Sequence, residues 1–297
     1  LYHEHKRGVF AGYAKFETFP VWNLPLKHPL NIAYEAATAD LKDINMVDPY
    51  HLEKYKEVAI NYNRDIETFP ILKTIINKIS GKDIYYSPTD MGVNMVGFSI
   101  TNDKVVTEAS KQEVIRRYYN ELKSYKLGNS DTETVQKIKL LMNELNIDEN
   151  YLKVIKEAKE ISKKREIHLI ALELPNGKII TGRQTDLLSP ASSLILNAIK
   201  EISKIPDDIK LLSPSVLEPI RKLIGKNKVL SLKEVLIALS ICSVTNPVIE
   251  KTINNLSKLN GCQAHSTFIL PIEDEQSLKN LKINITSEPE YLSNEII

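Results

Sequence analysis

Between about residues 104 and 164 apolar side chains recur at helical spacing, and directly afterwards the period changes to that of a strand. Val114, Ile115, Tyr118, Tyr119, Leu122 and Tyr125 form one helical series. Val135, Ile138, Leu141, Met142 and Leu145 form a second, and Leu152, Ile155, Ala158 and Ile161 a third. Gly128-Asn129 and Asn146–Asn150 punctuate them. From Ile167 to Leu174 and from Lys178 to Thr181 the runs are short and strand-like, and they flank Asn176-Gly177. Asn-Gly supplies the positive φ angles of a two-residue hairpin turn, so these runs predict a β-hairpin. A chain with this change of period in its middle is neither all-helical nor all-strand.

The flanking regions extend the pattern. Leu1–Arg7 reads as the end of a helix, with Lys6 and Arg7 in its last turn and Gly8 as the stop. Because no Met and no capping residue precede it, the chain reads as a fragment that begins inside a longer polypeptide. Val9–Phe16 predicts a short buried strand, followed by a loop carrying Pro20, Pro25 and Pro29. Helices are expected over 30–42, from Asp48-Pro49 onward, and over 64–80, the last kinked at Pro70 and closed by Gly81. Beyond the hairpin, Ser189-Pro190 caps a helix to about 203. Further helices are expected at 214–224, 231–242 and 247–258, a strand over 263–270, a short helix over 274–281 and a last strand at 283–286. The sequence thus predicts an α/β chain in three parts: residues 1–103 as the remainder of an α/β nucleotide-binding-like domain, 104–165 as a helical subdomain, and 166–297 as an α+β subdomain.

Composition limits the function classes. In 297 residues, Lys and Arg number 39 and Asp and Glu 38, a net charge of +1, so the basic excess that marks a nucleic-acid binder is missing. Lys163-Lys164-Arg165 has acidic neighbours and reads as a solvated helix end. No apolar run reaches the roughly 18–20 residues that span a bilayer. The two cysteines, Cys242 and Cys262, make no disulfide framework and suit a cytoplasmic setting. There is no His-Glu-x-x-His motif, and Cys262 with His265 lacks a second pair, so zinc chemistry is not expected. Neither a Gly-x-Ser-x-Gly elbow nor a glycine-rich phosphate loop occurs.

The polar residues of the first hundred positions instead gather in loops between apolar segments. Lys15 and Glu17 fall at the expected strand end, Asp40, Asp43 and Asp48 around a helix C-terminus, then Arg64-Asp65, then Thr89-Asp90 and Asn94. Ligands of open α/β sheets bind beyond the carboxyl ends of strands. A lysine there can clamp phosphate, and carboxylates can hold Mg²⁺. Asp48 before Pro49 is also the pattern of a helix N-cap.

Long strings carry a resemblance. They are Ala11-Gly-Tyr-Ala-Lys-Phe-Glu-Thr-Phe-Pro-Val-Trp-Asn-Leu-Pro-Leu-Lys-His-Pro29, Ala33-Tyr-Glu-Ala-Ala-Thr-Ala-Asp-Leu41, Asn61-Tyr-Asn-Arg-Asp65 and Ser87-Pro-Thr-Asp-Met-Gly-Val-Asn94. Glu108-Ala-Ser-Lys-Gln112, Leu194-x-Leu-Asn-Ala-Ile-Lys200 and Gly261-Cys-x-x-His-Ser-Thr267 complete the set. Together they resemble the bacterial family called domain of unknown function 1846, over essentially the whole chain. The resemblance implies a further α/β region ahead of Leu1, ending in a Gly-Pro-Gly-Ser-Gly-Lys-like run that feeds the first helix as a phosphate loop would. A zinc-protease label attached to some relatives finds no ligand pattern here. Gly12-Tyr-x-Lys15 is also similar to the lysine-bearing strand of P-loop enzymes such as dethiobiotin synthetase and CTP synthase.

These readings lead to one expectation with two alternatives. The intact protein is expected to be a nucleotide-dependent ligase or phosphotransferase acting on a small metabolite, with Mg-ATP as cofactor. Lys15, Asp65 and Asp90 would serve catalysis. Glu17, Asp40, Asp43, Arg64 and Asn94 would serve binding, with Asp40 and Asp43 on Mg²⁺. The first alternative is a regulatory protein that binds a nucleotide or metabolite without turnover. The second is a homo-oligomeric structural protein, with contacts through 104–164 and an aromatic face at Tyr118, Tyr119 and Tyr125.

Overall fold

The computed structural model describes residues 1–15, 18–225 and 228–292. The chain forms two compact units, one of residues 1–121 with 128–148 and the other of residues 122–127 with 149–297. The helical stretch 104–164 contributes to both.

The first unit begins with α1 (Tyr2–Lys6), which Gly8 ends with a φ of 75°. The chain continues through α2 (Pro29–Ala37), a 3-10 turn over Ala39–Leu41, β1 (Asn45–Val47), α3 (Pro49–Tyr55), β2 (Ile60–Tyr62) and α4 (Asn63–Ser80). Two further 3-10 turns, Pro88–Met91 and Val96–Ser99, precede α5 (Asp103–Lys126) and α6 (Thr132–Glu144). Asp48 caps α3 with Pro49 in its first turn, and Gly81 closes α4 at φ 68°. Each is the local signal that the sequence carries.

The strand expected over Val9–Phe16 does not form. Residues 9–15 have no ladder partner, and Val9 and Phe10 are exposed; Phe16 lies outside the described residues. A run of apolar residues becomes a strand only where a neighbouring edge can take its N–H and C=O groups. Among the described residues, the only ladder of this unit is the antiparallel pair β1–β2. The parallel sheet of a P-loop domain is therefore not seen in the described part of this unit. Its core includes Phe69, Ile76 and Met91, with Tyr13, Tyr50, Leu72 and Tyr85 packed against them. The face expected at Tyr118, Tyr119 and Tyr125 divides: Tyr118 and Tyr119 are buried with rings 5.5 Å apart, and Tyr125 is half exposed. Both tyrosines turn inward because Val114 and Ile115, one turn earlier, are buried as well.

The second unit is built on a four-stranded sheet. After α7 (Lys153–Arg165) come β3 (Ile170–Glu173) and β4 (Ile179–Gly182), joined by the expected hairpin, although not by a two-residue turn: the Gly177 N–H closes onto the Leu174 carbonyl at 2.8 Å, and of Asn176 and Gly177 only the glycine has a positive φ, 79°. Then follow α8 (Pro190–Ser203), α9 (Pro214–Ile224), α10 (Leu232–Ser243), α11 (Pro247–Asn254), β5 (Gln263–Ser266), α12 (Ile272–Asn280) and β6 (Asn284–Ser287). Strand order is β4-β3-β5-β6; β3 runs antiparallel to both neighbours, and β5 and β6 are parallel, connected through α12. Ile170 and Leu172 of β3 join a core with Leu194, Ile195 and Leu239, while α7 packs on β3 and β5.

Candidate functional site

The segment carrying Lys15 is held in place without a ladder. The phenol of Tyr85 accepts from the Tyr13 N–H and donates to the Tyr13 carbonyl, both at 2.6 Å. One residue pair on, the Lys15 N–H donates to the Met91 carbonyl at 2.9 Å. Gly92 admits this approach, because a Cβ there would lie 3.4 Å from the Lys15 carbonyl oxygen and 3.3 Å from the Phe19 ring. The segment is thus fastened to the loop 85–92 by side chains in place of a strand partner.

Anchored in this way, the Lys15 ammonium lies 2.7 Å from Asp65 Oδ2, and both side chains are only 6% exposed. Asp65 is in the first turn of α4, where the helix dipole favours a carboxylate. Lys15 also lies over the Phe19 ring, 4.6 Å from its centroid. It borders two cavities. One, of about 360 Å³, is lined by Tyr13, Arg64, Asp65, Thr68 and Met91 among others. The other, of about 450 Å³, is lined by Thr18, Phe19, Tyr34 and Asn94 among others.

Arg64 is oriented by Asp43, which accepts from Nε at 3.0 Å and from Nη2 at 3.2 Å in the bidentate geometry that matches guanidinium to carboxylate. The Asp43 main-chain carbonyl accepts from Lys137. Burial pulls the Lys137 ammonium below the ordinary lysine value, against the opposing pull of Glu35 and Asp43. Burial also raises the Glu35 carboxyl, although the Asn45 N–H and Lys137 counteract it.

The structure brings together Lys15, Asp65, Arg64 and Asp43, with Asn94 on the neighbouring cavity. Asp40 is elsewhere, exposed and paired with Arg117 at 2.9 Å. Asp40 and Asp43 each engage a different arginine, and among the described residues no three His, Cys, Asp or Glu side chains are gathered as metal ligands. Asp90 completes a capping box. Its Oδ2 accepts from the Tyr86 and Ser87 N–H groups at 2.7 and 3.0 Å and from the Tyr55 hydroxyl at 3.2 Å. Glu17 lies outside the described residues.

Sequence reasoning passed over Tyr85 and Tyr34, and it underrated Asp48. The Asp48 carboxylate is fully buried. Besides capping α3, it accepts from the Thr89 N–H at 3.3 Å and the Thr89 hydroxyl at 2.6 Å, which ties α3 to the 3-10 turn over Pro88–Met91. The signal for this was present: two Ser/Asp-Pro starts, each able to cap its own turn. In the second unit, His265 is fully buried, between the Thr286 hydroxyl at 2.9 Å and Glu288 at 3.2 Å, and Cys262 is a buried free thiol.

Comparison with known proteins supplies the identity of the chain. The family models described as domain of unknown function DUF1846, N-terminal, and its C-terminal counterpart match residues 1–146 and 150–297. The chain belongs to the DUF1846 family. A UPF0371 protein of Clostridium tetani is 53% identical over 99% of this chain, and this covers 61% of that relative. One of Fusobacterium nucleatum is 53% identical over 97% of the chain and 60% of the relative. The chain therefore spans about three fifths of the length of these DUF1846 relatives. The two family models meet between residues 146 and 150, where the described structure also passes from one unit to the other. No helix among the described residues is long and apolar enough to cross a membrane.

Proposed function

We propose that the Lys15 region binds a phosphate-bearing small molecule. A nucleotide, Mg-ATP first, is the ligand in the intact protein, which uses it as a ligase or phosphotransferase acting on a small metabolite. One observation carries this reading: a buried lysine, held by Asp65, borders two cavities large enough for small ligands, with Arg64 in the wall of one. Lys15 would neutralise charge on a phosphoryl group, and Asp65 would fix the direction of its ammonium. Arg64 would contact the same phosphates or the acceptor, and Asn94 the part of the ligand in the neighbouring cavity. Mg²⁺ commonly reaches such sites on substrate phosphates with one or two protein carboxylates. Here the nucleotide phosphates would carry most of the Mg²⁺ coordination, because Asp43 already holds Arg64 and Asp40 lies elsewhere on Arg117.

A second reading, binding without turnover, is favoured by the carboxylates. Asp65 is engaged by Lys15, Asp43 by Arg64, and Asp90 serves as the cap of a turn. Under this reading substitutions change affinity only.

Isothermal titration of Mg-ATP, other nucleotides and inorganic phosphate into this chain and into a full-length relative tests the proposal. Binding that Lys15→Met with Asp65→Asn weakens by at least about tenfold, with circular dichroism unchanged, would support it. Absence of binding by every phosphate compound in both proteins would end it. Turnover of the nucleotide by the full-length relative separates the two readings.

A further inference from the structure

We infer that the second unit carries its own anion site, a pocket for a small molecule bearing a phosphate group, between the end of β4 and the first turns of α8. A cavity of about 290 Å³ opens there. Arg165, from the last turn of α7, and Arg183, directly after β4, line it together with Ser193, Asn197, Thr181 and Thr185. Leu196 and Leu169 supply apolar wall. Among the described residues, no carboxylate lines the cavity.

The decisive group is Ser193. It is 8% exposed, it lines the cavity, and its hydroxyl is buried with no hydrogen-bond partner among the described residues. A buried hydroxyl left unpaired is unfavourable by about 1–3 kcal/mol. The neighbouring serines show the ordinary solution. Ser189 accepts from the Ser192 N–H, and Ser192 donates to the Leu230 carbonyl. Of these three hydroxyls, that of Ser193 is the one with no partner among the described residues.

Close packing creates the arrangement. A Cβ on Gly182 would lie 2.2 Å from the Leu194 nitrogen and 2.4 Å from the Pro190 carbonyl oxygen. Only glycine lets the β4 edge touch the α8 backbone, and that contact places Thr181 and Arg183 beside Ser193 and Asn197. The Asn197 amide completes the junction by donating to the Thr181 carbonyl at 2.9 Å.

The donor set selects the ligand class. Two guanidinium groups and several hydroxyls offer many donors and no charged acceptor, which matches the oxygens of a phosphate monoester better than a single carboxylate. The volume limits the rest of the ligand to a small, partly apolar body. Arg165 by itself is accounted for by the dipole at the end of α7. Arg183 beside a buried, unpaired Ser193 in the same cavity lining is not.

The test uses the whole chain and the probes inorganic phosphate and glycerol 3-phosphate, followed by titration calorimetry. Saturable binding is expected. Arg183→Gln should weaken it by at least about tenfold, because a charge-assisted bond is lost. Ser193→Ala should weaken it severalfold without lowering the melting temperature, since the hydroxyl has no protein partner to lose. Binding should persist in Lys15→Met with Asp65→Asn, which separates this pocket from the first unit's site. No saturable binding of either probe, or binding indifferent to Arg183→Gln, would overturn the inference.

Discussion

Replacing Lys15 by Met would strand the Asp65 carboxylate at a position that is 6% exposed, and the loss should be large for one substitution. Removing one partner of a buried ion pair is unfavourable by about 3–5 kcal/mol, because the remaining charge keeps its desolvation cost without its counter-ion. Here the lower end applies. Asp65 is in the first turn of α4, where the dipole returns about 0.3–1 kcal/mol to an unpaired carboxylate. The adjoining cavities also admit water. We expect about 3 kcal/mol of destabilisation, which for a unit of this size is a melting shift of roughly 6–12 °C. Adding Asp65→Asn removes the stranded charge and should bring stability back to within about 1 kcal/mol of the parent, since neutral replacement of a buried pair is often close to neutral.

The chain supplies its own reporter. Its single tryptophan, Trp22, belongs to the first unit, so urea unfolding followed by tryptophan fluorescence reads this unit alone. A Lys15→Met loss below about 1 kcal/mol would mean that the pair behaves as a solvated surface bridge. Failure of Asp65→Asn to restore stability would mean that the lost quantity was Lys15 packing on Phe19 and not charge. Either result refutes the description of Lys15 and Asp65 as a desolvated pair, and with it the main physical support for a phosphate clamp at this place.

Other substitutions test the surrounding devices. Asp48→Ala removes the α3 cap and the tie to Thr89, and should destabilise the first unit by roughly 2–3 kcal/mol in the same urea assay. Tyr85→Phe deletes both hydrogen bonds to the Tyr13 backbone; a loss of about 1–3 kcal/mol, with weaker nucleotide binding in calorimetry, is expected. In the second unit, burial depresses the His265 imidazole, opposed by Glu288 and reinforced by Lys159. Its neutral form is therefore favoured by folding. Stability should be intact above the unfolded histidine value of about 6.5 and fall as the pH drops toward the depressed folded value. His265→Gln should flatten that limb in calorimetric scans between about pH 7 and 5. Gly182→Ala should destabilise the second unit by about 1–3 kcal/mol or more, because its Cβ meets backbone that cannot turn aside.

The features legible in the sequence were those decided within a few residues. Asp48-Pro49, Ser189-Pro190, Gly81 and Asn176-Gly177 each fix a turn or helix end by their own backbone chemistry, and each does so in the fold. The segment at Val9 failed for the complementary reason: a strand exists only through its partner, and here a phenol and one carbonyl hold the backbone instead. The same distinction divides the candidate site residues. Asp90 and Asp48 are polar because local turns need caps, so their presence in loops carried no information about ligands. Lys15 and Asp65 are 50 residues apart, and nothing local requires either one to be charged. Their pairing could not be read in advance, yet it is the better indicator of a ligand site, because a fold that needed only packing there would gain more from two apolar side chains. The same reasoning separates Ser193 from Ser189 and Ser192 on one turn of α8: two of these hydroxyls are explained by the backbone they serve, and the third has no such local duty among the described residues.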